Sequence, residues 1–414
     1  MGCVTSATHG AAKRKAGRRC LHSGVRSVTK MQSVELRIAL PDAPRELYRE
    51  LSVMLLDSLS ALGARALVVG DGDASALEAD VLLIVGDCQA FQKLPKLLNT
   101  ARHRPFTILW LLDSLPPESL SFRAERIGSR LWVYNDALLF LRTRAAGLVR
   151  LMPITLRRKL GSAACSALLT GFGREFTFPQ HKSLDATSLY EILGRHEWLR
   201  SARQAGLLDA ICVSTPAKKR FLDRVGIPSQ FVPVGYHPAM GRGLGLNRDI
   251  DVLFIGELDY GRRGPIVESL RGQLQHRGIQ LTVISSGCYG EERARLLNRA
   301  RIVLDVPRFT WDLAGIRMLM CMACGAMVVS EYTGDPEPFE SGKHFVQARA
   351  ERIPDVVAHY LKHEHERVEI TDAAERMIKS KLTLRDCVNR VLSAFPGPDI
   401  GVWAPAQAKR SRCA

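Results

Sequence analysis

Residues 301–331 read RIVLDVPRFTWDLAGIRMLMCMACGAMVVSE, and the way this stretch divides decides the fold. The run RIVLDV (301–306) has the branched aliphatic content of a buried strand and stops at Pro307. IRMLMCMACGA then has the length and apolar repeat of a helix, with Ala323 and Gly325 small enough for close packing on a sheet. AMVVSE (326–331) reads as a second strand, and strand–helix–strand in that order implies a parallel pair. Between them, Asp312-Leu313-Ala314-Gly315 opens the helix, where unpaired N–H groups and the helix dipole attract phosphate. Gly315 lets a ligand reach the backbone without a side chain in the way. On these residues alone, a phosphate site and a plain packing unit fit equally well.

The same alternation extends in both directions. SVELRIAL, RALVVG, DVLLIVGD, TILWLLD and RLWVYND read as strands in the first half of the chain. From Arg45 to Leu62 a helical face gathers Leu47, Leu51, Met54 and Leu55. A helical region near 185–206, the strand AICVST, the helix PAKKRFLDRVG and QFVPVG complete that half. DVLFIGEL, IQLTVISS, RIVLDV, AMVVSE and HFVQA supply strands to the second, with helices near 263–278, 290–300 and 315–324 and a long helical tail over 352–395. The fold class expected is α/β: two Rossmann-like domains whose parallel sheets face a central cleft. The glycine-rich stretch GYHPAMGRGLGLNRD (235–249) joins them. This gives a basic tail at 1–30, a first domain at 31–235, a linker at 236–248, a second domain at 249–396 and a second tail at 397–414.

Composition narrows the class. The 414 residues are 46% hydrophobic, ordinary for a globular chain, and no apolar run is long enough to span a bilayer. The net charge of +16 is uneven: seven positive charges fall in residues 1–30 and three more in 409–412, leaving +6 on the body. Phosphate-bearing substrates or anionic membrane surfaces explain that excess as well as nucleic acid does, and the lack of zinc spacing or interleaved aromatic and basic residues counts against nucleic acid. The ten cysteines are scattered and mostly sit in apolar segments, which points to buried thiols in a cytoplasmic setting. Gly2, Cys3 and Ser6 spell an acylation pattern, but a flexible tail or a start at Met31 is the plainer reading. Residues 137–160, ALLFLRTRAAGLVRLMPITLRRKL, carry six basic residues and no acid. They can lie at an anionic membrane surface as a peripheral contact or form a core helix with a basic edge.

DLAGIRMLMCMACGAMVVS resembles the group 1 glycosyltransferase motif, in which Glu-Pro-Phe-Gly opens a helix ending in Glu-Ala-Met-Ala-Cys-Gly. DVLFIGELDYGRRGPIVESL resembles the first strand of that family's C-terminal domain, where a glycine and then basic residues face phosphate. LLNRARIVLDVPR followed by Arg317, and the ending HYLKHEHERVEITDAAERMI with LTLRDCVNRVL, are similar to the spore-maturation-type branch. STPAKKRFLDRVGIPSQFVPVGYHP resembles the end of the N-terminal domain in that group. The resemblance implies a GT-B glycosyltransferase moving a sugar from a nucleotide-sugar donor to an unidentified acceptor, without a bound metal or other cofactor. The alternative is a degenerate GT-B scaffold that binds a nucleotide or partner without turnover.

Carried over by position, Asp312 takes the catalytic place of the family's first glutamate, against the donor sugar. Leu313, Ala314 and Gly315 bring backbone to sugar and phosphate, Gly256 lines the phosphate strand, Arg262 or Arg263 binds the diphosphate, and Arg317 supports it. Met320 stands where a second glutamate holds the ribose hydroxyls, and methionine cannot accept those hydrogen bonds. On the acceptor side Asp113, at the end of TILWLLD, is a candidate catalytic base, with a solvated turn carboxylate as the simpler reading. His181, His196 and His237 are further candidates, His237 the nearest to the cleft. Asp71-Gly72-Asp73 is read as a turn, and Cys321 and Cys324 as buried thiols rather than metal ligands.

Overall fold

The computed structural model describes residues 34–42, 44–121, 186–258, 262–313 and 315–396. The first unit opens with β1 (Glu35–Ala39), α1 (Glu46–Ala61), β2 (Arg65–Val69), β3 (Val81–Gly86), α2 (Leu94–Thr100) and β4 (Phe106–Leu111). It continues with α3 (Ala186–Gln204), β5 (Ala210–Val213), α4 (Pro216–Arg224) and β6 (Gln230–Phe231). Its six strands pair in parallel in the order β2-β1-β3-β4-β5-β6. Every residue of β3, VLLIVG, is buried, as a strand covered on both faces requires. The strand expected at RLWVYND, the 137–160 segment, His181 and the basic tail lie outside the described residues.

The second unit repeats the plan. It comprises β7 (Ile250–Ile255), α5 (Arg263–Gln275), β8 (Leu281–Ile284), α6 (Gly290–Arg299), β9 (Ala300–Asp305), α7 (Gly315–Ala323), β10 (Met327–Glu331) and β11 (Val346–Ala348). The five strands are parallel in the order β11-β10-β9-β7-β8. Among the described residues, no helix is long and apolar enough to cross a membrane.

The helical tail is three helices, not one: α8 (Ile353–Lys362), α9 (Glu364–Lys381) and α10 (Leu384–Leu392). The breaks fall at His363 and Leu382, both with non-helical dihedrals. α10 leaves the second unit and packs on α1 of the first, burying Leu384, Cys387, Val388, Val391 and Leu392. The chain therefore passes between the units twice, at Tyr236 and again at Leu382–Leu384. The two passages are tied together: Tyr236 N–H donates to Leu382 O and Leu384 N–H to Tyr236 O, each at 2.7 Å. A Cβ on Gly235 would stand 2.2 Å from Thr383 O, so only glycine permits this approach.

The stretch expected to be a free linker is pinned along its length. Leu244 N–H donates to Asn298 Oδ1 at 2.7 Å, and Asn298 Nδ2 donates to Arg242 O at 2.9 Å. The Arg248 guanidinium donates to the carbonyls of Ala300 (2.5 Å) and Cys324 (2.8 Å). One apolar cluster runs from Leu51 and Leu55 of α1 through Val388 and Val391 to Leu319 and Met320 of α7, so the two units share a core.

Candidate active site

Between the carboxyl edges of the two sheets lies a cavity of about 560 Å³. The first unit lines it with Arg45, Tyr48, Asp113, Arg195 and Thr215. The second contributes Arg263, Arg308, Asp312, Gly315, Arg317 and Met320, among others. Ligands of open parallel sheets bind at this edge.

On the second unit, β7 is followed by Gly256, whose backbone passes beside two guanidinium groups. A side chain there would meet the Phe254 ring at 3.4 Å, Arg317 Nη2 at 3.5 Å and Arg263 Nη1 at 3.7 Å. Arg263 is buried and donates to Val306 O (2.9 Å) and Glu257 O (3.1 Å), with no carboxylate partner among the described residues. Burial, and then the charge of Arg317, pull its pKa down to about 10. Two cations face one cavity wall, and an anion between them relieves both the burial and the repulsion. Arg317 is aimed by an ion pair with buried Asp305 at 2.6 Å, at the end of β9. Gly315 begins α7 on the same wall, and a side chain there would enter open space. Leu313 also lines the wall, while Ala314 lies outside the described residues.

The sequence left Arg262 and Arg263 interchangeable; the structure separates them. Arg262 does not line the cavity: its guanidinium pairs with Glu331 at the end of β10 and donates to Pro307 O at 3.2 Å. Asp312 also has an occupation that the sequence did not suggest. Its carboxylate accepts from Thr215 Oγ1 at 2.7 Å and from Lys218 Nζ at 3.0 Å, both on the first unit. It closes a buried ion pair across the cleft.

The opposite wall is organised by Arg195 of α3. Its guanidinium forks onto Asp87 through Nε (3.0 Å) and Nη2 (2.9 Å) and donates to Ser114 O at 3.1 Å. Asp113 lies 3.8 Å from the same guanidinium and accepts a short hydrogen bond from Tyr48 Oη. It is not a solvated turn carboxylate, since its side chain is only 14% exposed. Burial raises its pKa, Arg195 opposes that, the charge of Asp87 adds to it, and the balance stays above the ordinary value. At Asp87 burial acts upward as well, but the hydrogen bonds and charge of Arg195 outweigh it and hold the carboxyl low. Two carboxylates beside one arginine are thus driven apart in acidity. Arg308, from the loop after β9, reaches over to Glu191 at 2.8 Å and Ser188 Oγ at 3.0 Å.

The remaining candidates do not join this site. His237 accepts from Ala239 N–H at Nδ1 (3.2 Å) and turns Nε2 to Asp57 (2.8 Å). His196 is buried against the Phe221 ring, and burial lowers its pKa to about 4. Asp71 accepts the N–H groups of Gln92, Lys93 and Leu94 at the start of α2, and Asp73 accepts that of Ser75. Cys321 and Cys324 are buried free thiols, and burial pushes Cys324 up to about 11. Met320 lines the cavity and is 5% exposed.

Two parallel sheets facing a cleft, with the last helix returned to the first unit, make the GT-B fold. The family described as glycosyl transferase-like matches residues 262–393, from Arg262 to the end of the last helix. Among solved structures, OtsA in its apo form shares 11% identity at a TM-score of 0.52, over 90% of this chain and 100% of that one. Sucrose-phosphate synthase from Thermosynechococcus elongatus shares 9% at 0.51, over 87% of this chain and 98% of that one. TarM shares 10% at 0.44, over 77% of this chain, which spans 55% of TarM's length. No curated protein matches the chain.

Proposed function

We propose that this chain transfers a glycosyl group from a nucleotide-sugar donor to an acceptor hydroxyl. The observation that carries the reading is Arg263, a buried guanidinium without a carboxylate partner among the described residues, beside Arg317 at the edge where α7 begins. A donor diphosphate laid against Gly256 and the start of α7 takes hydrogen bonds from both arginines and from backbone N–H groups. The sugar then points toward Asp113. In the reaction the bond from the anomeric carbon to phosphate oxygen breaks, and the nucleoside diphosphate leaves with the electron pair. The acceptor oxygen bonds the anomeric carbon and its proton passes to Asp113. A carboxylate with a raised pKa is the better base for that step. The arginines stabilise the negative charge that grows on the leaving group.

A second reading, a scaffold that binds a nucleotide without turnover, is favoured by two observations. Asp312 is spent on Lys218 and Thr215, and Met320 presents a thioether where the resemblance implies a ribose-binding carboxylate. A panel of nucleotide sugars, followed by thermal shift and by release of free nucleotide, separates the two. Stabilisation by a donor together with nucleotide release that needs Asp113 supports transfer. Stabilisation with no release from any donor, with or without acceptor extract, supports the scaffold. A cytoplasmic setting and peripheral contact with an anionic membrane through residues 137–160 belong to the same proposal.

A further inference from the structure

Away from the cleft, the joint between α8 and α9 gathers three side chains that can donate to a metal. His359 lies in the last turn of α8, His363 is the single residue between the helices, and Glu366 lies in the first turn of α9. Each offers one ligand atom, and the three atoms lie within 4.8 Å of one another. We propose that His359, His363 and Glu366 bind a divalent transition-metal ion of the zinc class, which fastens the α8–α9 joint.

The hydrogen bonds already prepare the ligands. His363 Nδ1 lies 2.8 Å from the His359 carbonyl oxygen, which can only accept, so Nδ1 carries the proton. In the neutral ring that leaves the Nε2 lone pair free, and a backbone carbonyl on the far nitrogen is the usual support of a metal-bound imidazole. His359 Nε2 stands 2.9 Å from Glu366 Oε2, so a cation can replace the proton they share. The two imidazole rings stack with centroids 4.1 Å apart and 21° between planes, so shared ligation requires the rings to rotate until their in-plane lone pairs converge on one ion. Two imidazoles and a carboxylate suit zinc and its neighbours, with water in the fourth position, whereas calcium and magnesium prefer all-oxygen sites. The carbonyl end of α8 adds negative dipole beneath the ion. All three side chains are exposed, so the ion enters from solvent without opening the fold.

The test is titration of the full-length, tag-free chain with zinc chloride by calorimetry, repeated with cobalt(II) to read its visible d–d bands. One ion per chain is expected, with bands typical of mixed nitrogen and oxygen ligation. Glu366→Gln should weaken binding by at least about tenfold, since even the loss of an outer-shell partner of a metal ligand costs about 10–100-fold. The double variant His359→Ala/His363→Ala should lose both the calorimetric site and the bands while keeping its circular dichroism. Zinc should raise the Tm of the parent chain and not that of the double variant. No saturable binding, or equal binding by the double variant, overturns the proposal. The glycosyltransferase reading is untouched by either outcome.

Discussion

Lys218 Nζ and Asp312 Oδ1 meet 3.0 Å apart across the cleft, with side chains only 2% and 5% exposed. One residue sits on α4 of the first unit and the other just ahead of α7 in the second, so the pair ties the two units together beside the cavity. Removing one member of a buried pair leaves an uncompensated charge and costs about 3–5 kcal/mol. Asp312→Ala should therefore lower stability by about that amount in urea melts. Asp312→Asn can still accept from Thr215 and should lose less. The double change Lys218→Met/Asp312→Leu should recover most of the loss, because apolar replacements of similar size often match a buried pair. If Asp312→Ala melts like the parent while donor binding collapses, the carboxylate serves the ligand rather than the fold.

The wall around Asp113 predicts a pH dependence with a definite sign. As the proposed base, Asp113 must be ionised to take a proton, and its pKa lies above the ordinary carboxylate value. The acidic limb of kcat/KM should then fall at a pH above the usual aspartate range. Arg195 lowers Asp113 by its charge, so Arg195→Met should move that limb to still higher pH. Stability responds differently at the two carboxylates. Asp87, held low by Arg195, stabilises the fold above the ordinary carboxylate range, and this contribution is lost as pH falls through its depressed pKa. Asp113, held high, opposes folding as pH rises through the ordinary range toward its raised value. Asp113→Asn should cut turnover by about 10²–10⁴-fold while leaving donor affinity intact, a split read from single-turnover rates and calorimetry. An unshifted limb in Arg195→Met would remove Asp113 from the chemistry.

The two adjacent arginines should behave unlike one another. Arg263→Ala removes a cavity-lining guanidinium, and hydrogen bonds to charged groups are worth about 1.5–3 kcal/mol. Its affinity for a nucleoside diphosphate should drop about ten- to a hundredfold by calorimetry. Arg262→Ala leaves Glu331 without its partner at the end of β10, so it should lower the melting temperature and leave diphosphate affinity within about threefold. Equal loss of affinity in both variants would mean that the Arg262–Glu331 pair opens on binding.

The sheets were legible because strands covered on both faces leave unbroken apolar runs, as VLLIVG does in β3. The site was legible only in part. Gly256, Arg263, Gly315 and Arg317 lie on short segments that one sheet edge gathers, and it was the family resemblance rather than local pattern that grouped them. Lys218 was missed, although it carried a signal: a lysine three and four residues before Phe221 and Leu222 sits on the buried face of its helix. Arg195 gave less, because its partners Asp87 and Asp113 come from loops about a hundred residues away that only the fold brings together. The break before α10 was readable at Thr383, whose side chain caps that helix, but nothing local says that α10 returns to α1.

Met320 tests whether the cavity admits a nucleoside at all. It shares the cavity lining and one apolar cluster with Leu297 and Leu313, which offer a carboxylate no hydrogen bond, and Arg293 of the same lining is already paired with Glu50 at 2.8 Å. Met320→Glu should therefore destabilise the ligand-free protein, because a buried carboxylate without partners costs about 1–3 kcal/mol even when much of the penalty is relieved. Ribose hydroxyls, if they bind there, give that carboxylate its missing donors. Saturating nucleoside diphosphate should then raise the Tm of Met320→Glu by more than it raises that of the parent. The difference in the two shifts measures the new contact, since a ligand stabilises as the logarithm of one plus the ratio of its concentration to its Kd. If the variant melts low and nucleotide brings no extra recovery, the ribose lies elsewhere. The donor would then have to be held by its phosphates against Arg263 and Arg317 alone.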